Sequence, residues 1–258
     1  MIIIGEFGDE QDKLLKAKIL DRGRQALQRQ AVTLTAFLDP RQQRVAEAAL
    51  KDLSEVTHYT FGGYPGAERA RLALMPRFFQ QQEPDLGLVF LRLTGDFGEG
   101  EISHRDVLGA VLALGLKRET LGDLLVLEGE IVVIAAAEAA ACIRSDLKKV
   151  GNRPVAVEDM DPAEFKPPAD RTRLIKGTVA SLRLDAVASL GYSVSRTKMA
   201  AVIRAEQVKV NWQPVKSPAA PVKEGDIISI AGRGRLEVAR VGRESRKGRL
   251  HLEVKKYF

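Results

Sequence analysis

The sequence predicts an α+β protein with an N-terminal helical segment, a middle α+β domain with a mostly antiparallel sheet, and a small basic C-terminal domain. Three observations carry this. Residues 9–30 are rich in helix formers and lead to a second helix pattern. From residue 56 onward, helix periods alternate with short β-branched runs. The charge also changes sign along the chain. Residues 171–258 hold 19 Lys and Arg against 7 Asp and Glu, whereas residues 1–170 hold 21 against 27. A basic third on an acidic body points to a polyanionic partner for the C-terminal part.

Each element has a local reason. Asp39-Pro40 starts the second helix, with Asp39 as N-cap, Pro40 at the first helical position and Gln42 placed to complete a capping box. Val45, Ala49 and Leu53 then recur every four residues. "EVTHYTF" reads as a strand, and "LGLVFLRLTG" as a strongly apolar strand at 86–93. Ser103 is placed to cap a helix from His104 to Leu114. "DLLVL-EGE-IVVIA" reads as a hairpin with strands at 123–128 and 131–135. A helix over 137–150 and the short strand "PVAVED" follow. The proline-rich "DPAEFKPPADRTR" reads as a linker. Leu184, Val187 and Ala188 mark a short helix ended by Gly191, and Ser195 caps the next one, with Met199, Val202 and Ile203 as its stripe. Strands at 207–211, "DIISIA", "RLEVARV" and "RLHLEVKKY" complete the chain. The resulting boundaries are 1–55, 56–162, a linker at 163–178, and 179–258.

Composition narrows the function. No apolar run approaches the ~18 residues of a membrane span. "MIIIGEFGDE" lacks the basic stretch and cleavage site of a secretion signal. Cys142 is the only cysteine and reads as an inert core thiol on a helix. A cytoplasmic monomer is the expectation. His58, His104 and His251 form no metal-spaced pair, and no glycine-rich loop matches a nucleotide fingerprint, so neither metal nor cofactor is expected. Asp96-Phe97-Gly98 and His104-Arg105-Asp106 look like kinase strings, but they stand in the wrong order and lack the upstream loop. Arg183-Leu184-Asp185 matches a short string that carries the catalytic aspartate in one class of pseudouridine synthases. The 73 residues after Asp185 leave no room for that catalytic domain, and an acid early in a helix serves the macrodipole.

Two constellations remain as candidate contacts. In "FGGYPGAERARLALMP", Tyr64, Arg69 and Arg71 surround a turn that leads to a helix, a possible RNA or protein contact. The second is "SRTKMAAVIRAEQVKVN". At 100° per residue, Met199, Val202 and Ile203 share one arc. Arg196 and Arg204 flank it, about 80° apart, and Lys198 lies on the other flank. Arg183 on the preceding helix, Lys209 on the following strand and Lys216 beyond it extend the rim. Such a surface suits phosphates. Ser195 belongs to the same set as the cap. Asn211 either satisfies the turn or reaches a base edge.

"LRLDAVASLGYSVSRTKMAAVIRAEQVKVNWQPVKSPAAPVKEGDIISI" resembles the S4 RNA-binding domain. Arg183, Leu184, Asp185, Ser195, Arg196, Val208, Val210, Asn211, Gly225 and Asp226 match that domain's skeleton. One departure is "RAEQV", where the domain usually has a glycine before the valine strand. Upstream, "AFLDPRQQ", "FGGYPGAERARLALMP", "SHRDVLGAVLALGLKRETLGDLLV" and "NRPVAVEDM" resemble the YlmH-like family, some of whose cyanobacterial members are labelled photosystem II S4 domain proteins. The resemblance implies a helical N-terminus, an RRM-like middle domain and an S4 domain of the α-L type. It also implies a role in ribosome-associated quality control, with ribosomal RNA, tRNA and the large subunit as partners; the residues themselves, offering no catalytic constellation, point to a non-enzymatic protein. An RNA-modifying enzyme or its accessory, and a photosystem assembly factor, are the alternatives.

Overall fold

A computed structural model describes residues 10–79, 83–97, 102–127, 129–167, 172–245 and 248–257. The opening "MIIIGEFGD", Gly98 of the first kinase-like string, Glu128 of the hairpin turn and linker residues 168–171 lie outside the described residues. The chain divides into two compact units, Met1–Pro168 and Ala169–Phe258.

In the first unit, α1 (Glu10–Arg29) and β1 (Thr33–Leu34) precede α2 (Pro40–Leu50). The expected capping box forms: the Asp39 carboxylate accepts from Gln42 N at 2.9 Å, and Asp39 N donates to Gln42 Oε1 at 2.9 Å. β2 (Val56–Phe61) and β3 (Arg71–Pro76) join β1 in an antiparallel sheet ordered β1-β3-β2. Leu72 and Leu74 of β3 pack with Ile19 of α1 and with Ala46, Ala49 and Leu50 of α2. The strands at 56–76 therefore share a core with the N-terminal helices, which differs from the sequence boundary at 56. The helix expected after "FGGYPG" is also a strand, because Leu72, Leu74 and their neighbours fill a two-sided core.

A second sheet follows, with order β5-β6-β4-β9 and every pairing antiparallel. It is built from β4 (Leu88–Thr94), β5 (Leu121–Val126), β6 (Ile131–Ala136) and β9 (Ala156–Met160). Here α3 (His104–Leu112) and α4 (Ala137–Asp146) cover one face, burying Val107, Val111, Ala139 and Ile143 against Leu91, Leu93 and Val133. Phe37, Phe165 and Tyr64 cover the opposite face over Phe90, Val132 and Ile134. Burial on both faces explains why "IVVIAA" is apolar throughout instead of alternating. A short hairpin of β7 (Lys149–Val150) and β8 (Arg153–Pro154) ends the helix earlier than the expected 150. Cys142 is half-buried on α4, with its thiol 3.6 Å from an Asp146 oxygen, so it is not the core thiol expected.

The linker reading also needs correction. Phe165 is buried and meets the rings of Tyr64 and Phe90 at 5.3 and 5.4 Å. Thr172–Val179 is a full strand, β10, paired with the last strand, β15 (Leu250–Tyr257). In the second unit, α5 (Leu184–Tyr192), α6 (Arg196–Arg204), β11 (Val208–Val210), β12 (Gln213–Pro214), β13 (Ile227–Ile230) and β14 (Gly234–Glu244) complete the fold. The sheet order is β10-β15-β14-β13-β11-β12. Both helices pack on one face of this sheet: Leu184, Val187, Met199 and Ile203 meet Val208, Ile228, Leu236, Leu252 and Val254.

Candidate nucleic-acid interface

The candidate interface begins at the start of α5. Arg183 is its N-cap but gives no side-chain cap. The freed amides are satisfied instead by the loop before β13: Leu184 N donates to Ala220 O at 2.8 Å and Asp185 N to Pro218 O at 3.0 Å. The loop carrying Lys216 is thereby tied to the head of this helix. Asp185 is buried, yet it holds two arginines. Arg183 Nε donates to Oδ1 at 3.1 Å and Arg196 Nη2 to Oδ2 at 2.6 Å. The Asp185 side chain is only 8% exposed, while Arg183 and Arg196 remain 44% and 54% exposed. Burial alone would raise the Asp185 carboxyl; hydrogen bonds and charge from the two guanidiniums outweigh it and hold the group below its ordinary value. One carboxylate cannot neutralise two guanidiniums. The cluster keeps a net positive charge and fixes where its two outward faces point.

Along α6, Met199 and Ile203 are fully buried and Val202 half-buried, as the stripe predicts. Arg196, Lys198 and Arg204 are exposed on its flanks. Lys198 and Arg204, like Lys209 on β11, form no ion pair among the described residues. Ser195 is spent on capping, its oxygen accepting from Lys198 N at 3.4 Å. Lys216 pairs with Glu206 at 3.0 Å; both are exposed, so the pair contributes little and opens readily to a competing anion. Asn211 is held in the turn. It sits at φ 50°, its Nδ2 donates to Asp226 Oδ1 at 2.9 Å, and its Oδ1 accepts from Ile227 N at 3.0 Å. Both ends of its amide are occupied.

The residues of the other candidate contact are engaged within the first unit. Tyr64 donates its hydroxyl to Asp123 at 2.8 Å and packs beneath Phe165. Arg69 donates to Leu121 O and Phe37 O at 2.9 and 2.8 Å, and Arg71 to Thr35 O and Leu86 O at 2.9 and 2.8 Å. These side chains tie loops to strands through backbone carbonyls that would otherwise be buried unpaired.

Sequence reasoning missed two features. One is the Asp185 carboxylate as organiser of both arginines; its only trace in the sequence is an acid two residues after Arg183. The other is a row across the outer sheet face. Lys209 lies opposite Ser229, Ser229 opposite Arg235, and Arg235 opposite Tyr257. The Arg235 guanidinium and the Lys255 ammonium lie 5.5 and 5.0 Å from the Tyr257 ring centre. Strand alternation alone would place these residues on one face, once the pairings are known. Among the described residues, no group of three or more His, Cys, Asp or Glu is arranged to hold a metal.

Comparison with known proteins agrees with this division of the chain. Residues 12–77 match the family model described as "YlmH, N-terminal", 82–164 match "Putative RNA-binding domain in YlmH", and 182–228 match "S4 domain". The first match ends where the β1-β3-β2 sheet ends. The chain is 35% identical over 214 residues to the Ribosome-associated protein quality control protein P2 of Bacillus subtilis, covering 83% of each chain. In fold it is similar to a solved structure, the cell division protein ylmH from Streptococcus pneumoniae. The TM-score is 0.53 at 23% identity, over 63% of this chain and 98% of that one. The chain belongs to the YlmH family, with an S4 domain at residues 182–228.

Proposed function

We propose that this chain is a non-enzymatic RNA-binding protein that acts on the ribosome in quality control of translation. Its S4 domain grips structured ribosomal RNA on the large subunit, with tRNA close by, and it works as a cytoplasmic monomer. The observation that carries the reading is the exposed cationic rim of α6 and β11, set beside the Arg183–Asp185–Arg196 cluster. Phosphates meet Lys198, Arg204 and Lys209 first, while the two oriented guanidiniums present planar forks for bidentate contact or stacking on an unpaired base. The name of the Bacillus subtilis relative supports the ribosomal setting.

An RNA-modifying role loses its one candidate residue. Asp185 is buried with both carboxylate oxygens bound to arginine, which argues against a catalytic role for it. The test is co-sedimentation with ribosomes. The variant Lys198→Ala/Arg204→Ala/Lys209→Ala should remain in the supernatant while keeping the parent's circular dichroism spectrum. Undiminished co-sedimentation would remove the rim from the interface. Mapping modified bases after incubation with ribosomal RNA checks the non-enzymatic part, and any new modification would contradict it.

A further inference from the structure

Arg69 and Arg118 come from different parts of the first unit, and their guanidiniums converge on one atom. Arg69 Nε donates to Leu121 O at 2.9 Å, and Arg118 Nη1 donates to that same oxygen at 2.9 Å. Arg118 Nη1 also reaches Gly122 O at 2.9 Å, and Arg69 Nη2 reaches Phe37 O at 2.8 Å. Two like charges therefore sit around a single carbonyl oxygen. Neither arginine is in an ion pair among the described residues.

The carboxylates that feel these charges are already engaged. Asp39 caps α2. Asp123 accepts from the Tyr64 hydroxyl, Glu68 N and Arg69 N at 2.8, 2.8 and 3.0 Å. Burial, and then the charge of Arg69, pull the Arg118 guanidinium down to about 10. That is far enough above neutrality for Arg118 to stay charged. Asp39 and Asp123 offset part of the charge of the two half-buried guanidiniums from a distance but pair with neither, and an anion between them would meet both directly. Arg69 Nη1 and Arg118 Nε and Nη2 have no acceptor among the described residues.

A pocket of about 490 Å³ opens beside them, lined by Asp39, Gln42, Arg69, Lys117, Arg118 and Glu119. Lys117 is exposed at its rim. Three cations line the pocket, with Asp39 and Glu119 beside them and Asp123 behind, so the site suits one phosphate group and not a run of them. We propose that this pocket binds a single phosphate group, held by Arg69 and Arg118 with Lys117 closing over it. The site lies in the first unit and does not depend on the S4 rim. The phosphate comes either from a small molecule or from an RNA backbone.

The test uses the full chain carrying Lys198→Ala/Arg204→Ala/Lys209→Ala, so that the other basic surface is silenced. Calorimetric titration with inorganic phosphate should show one-to-one binding. Arg118→Gln in this background should weaken it about tenfold or more, through loss of a charged hydrogen-bonding partner. Lys117→Gln, which touches no backbone carbonyl and leaves the fold unperturbed, should weaken it several-fold. A short RNA duplex that displaces the phosphate identifies a backbone source; a duplex that leaves it bound identifies a small-molecule source. Equal phosphate affinity in the background protein and in Lys117→Gln, or no binding at millimolar phosphate, overturns the proposal.

Discussion

At Asp185, a buried carboxylate arranges two half-exposed guanidiniums. Its pKa is held below the ordinary carboxylate value in the folded state. The stability it contributes is therefore complete above the ordinary carboxylate range and is lost as pH falls through the depressed folded value. Trp212, the only tryptophan, lies in the same unit and reports its unfolding. Urea midpoints followed by Trp212 fluorescence should fall as the solution is acidified below about pH 4. Asp185→Asn should lower the midpoint at neutral pH by about 2 kcal/mol of stability, because two charged hydrogen bonds are lost, and should flatten the acid dependence. A variant as stable as the parent and equally acid-sensitive would contradict this role. The residue types were legible in the sequence here, but their engagement was not. Arg183, Asp185 and Arg196 stood out as part of a basic motif, yet the pairing of an acid on one helix with an arginine on the next is a tertiary fact. Asn211 went the same way: its bonds to Asp226 and Ile227 are tertiary facts that the sequence pattern does not carry.

Among the elements, helix positions are legible from period and caps, and helix ends less so. Asp39, Ser103 and Ser195 cap the helices they were assigned. The end of α5 was placed at Gly191, the usual terminator. The chain instead continues to Tyr192, and Ser193 takes the left-handed conformation at φ 54°. Gly191 serves close packing: a Cβ there would lie 2.4 Å from Leu236 Cδ1, and Leu236 is fully buried. Gly191→Ala should destabilise the unit by about 1–3 kcal/mol, as overpacking does, measured by the same Trp212 transition; a neutral result would mean the sheet yields there. Glu206 is the converse. It stands where an S4 domain usually has glycine and adopts φ 58°. The turn is kept at the expense of strain, about 1–2 kcal/mol for an L-residue. Glu206→Gly should stabilise the unit by about 1 kcal/mol. It also releases Lys216 and removes an acid beside the rim, so RNA affinity should rise with stability. If stability rises while affinity falls, Lys216 is not part of the binding face. The strand at 71–76 was missed because its preceding turn looked like a helix start. Burial on both sides erased the alternation that would have marked it.

On the scale of the whole molecule, the sequence separates a basic C-terminal third from an acidic remainder, and the two compact units follow nearly that division. What the sequence could not separate was the N-terminal sheet from the middle sheet. Both are antiparallel, and only the pairing partners of β2 and β3 assign them. The middle sheet resembles an RNA-recognition fold in outline, but its open face is covered by Phe37, Tyr64 and Phe165. Those three side chains occupy the face on which bases would otherwise stack, and the proposed grip on RNA is the S4 rim. A binding mode governed by phosphates on that rim has a thermodynamic signature in its salt dependence. The direct measurement is the slope of log affinity against log salt concentration for a structured ribosomal RNA fragment, comparing the parent with Lys198→Ala/Arg204→Ala/Lys209→Ala. Loss of three phosphate contacts should make the slope shallower by about 2–3 and weaken binding at low salt. Identical slopes and affinities would mean that the RNA does not rest on this rim.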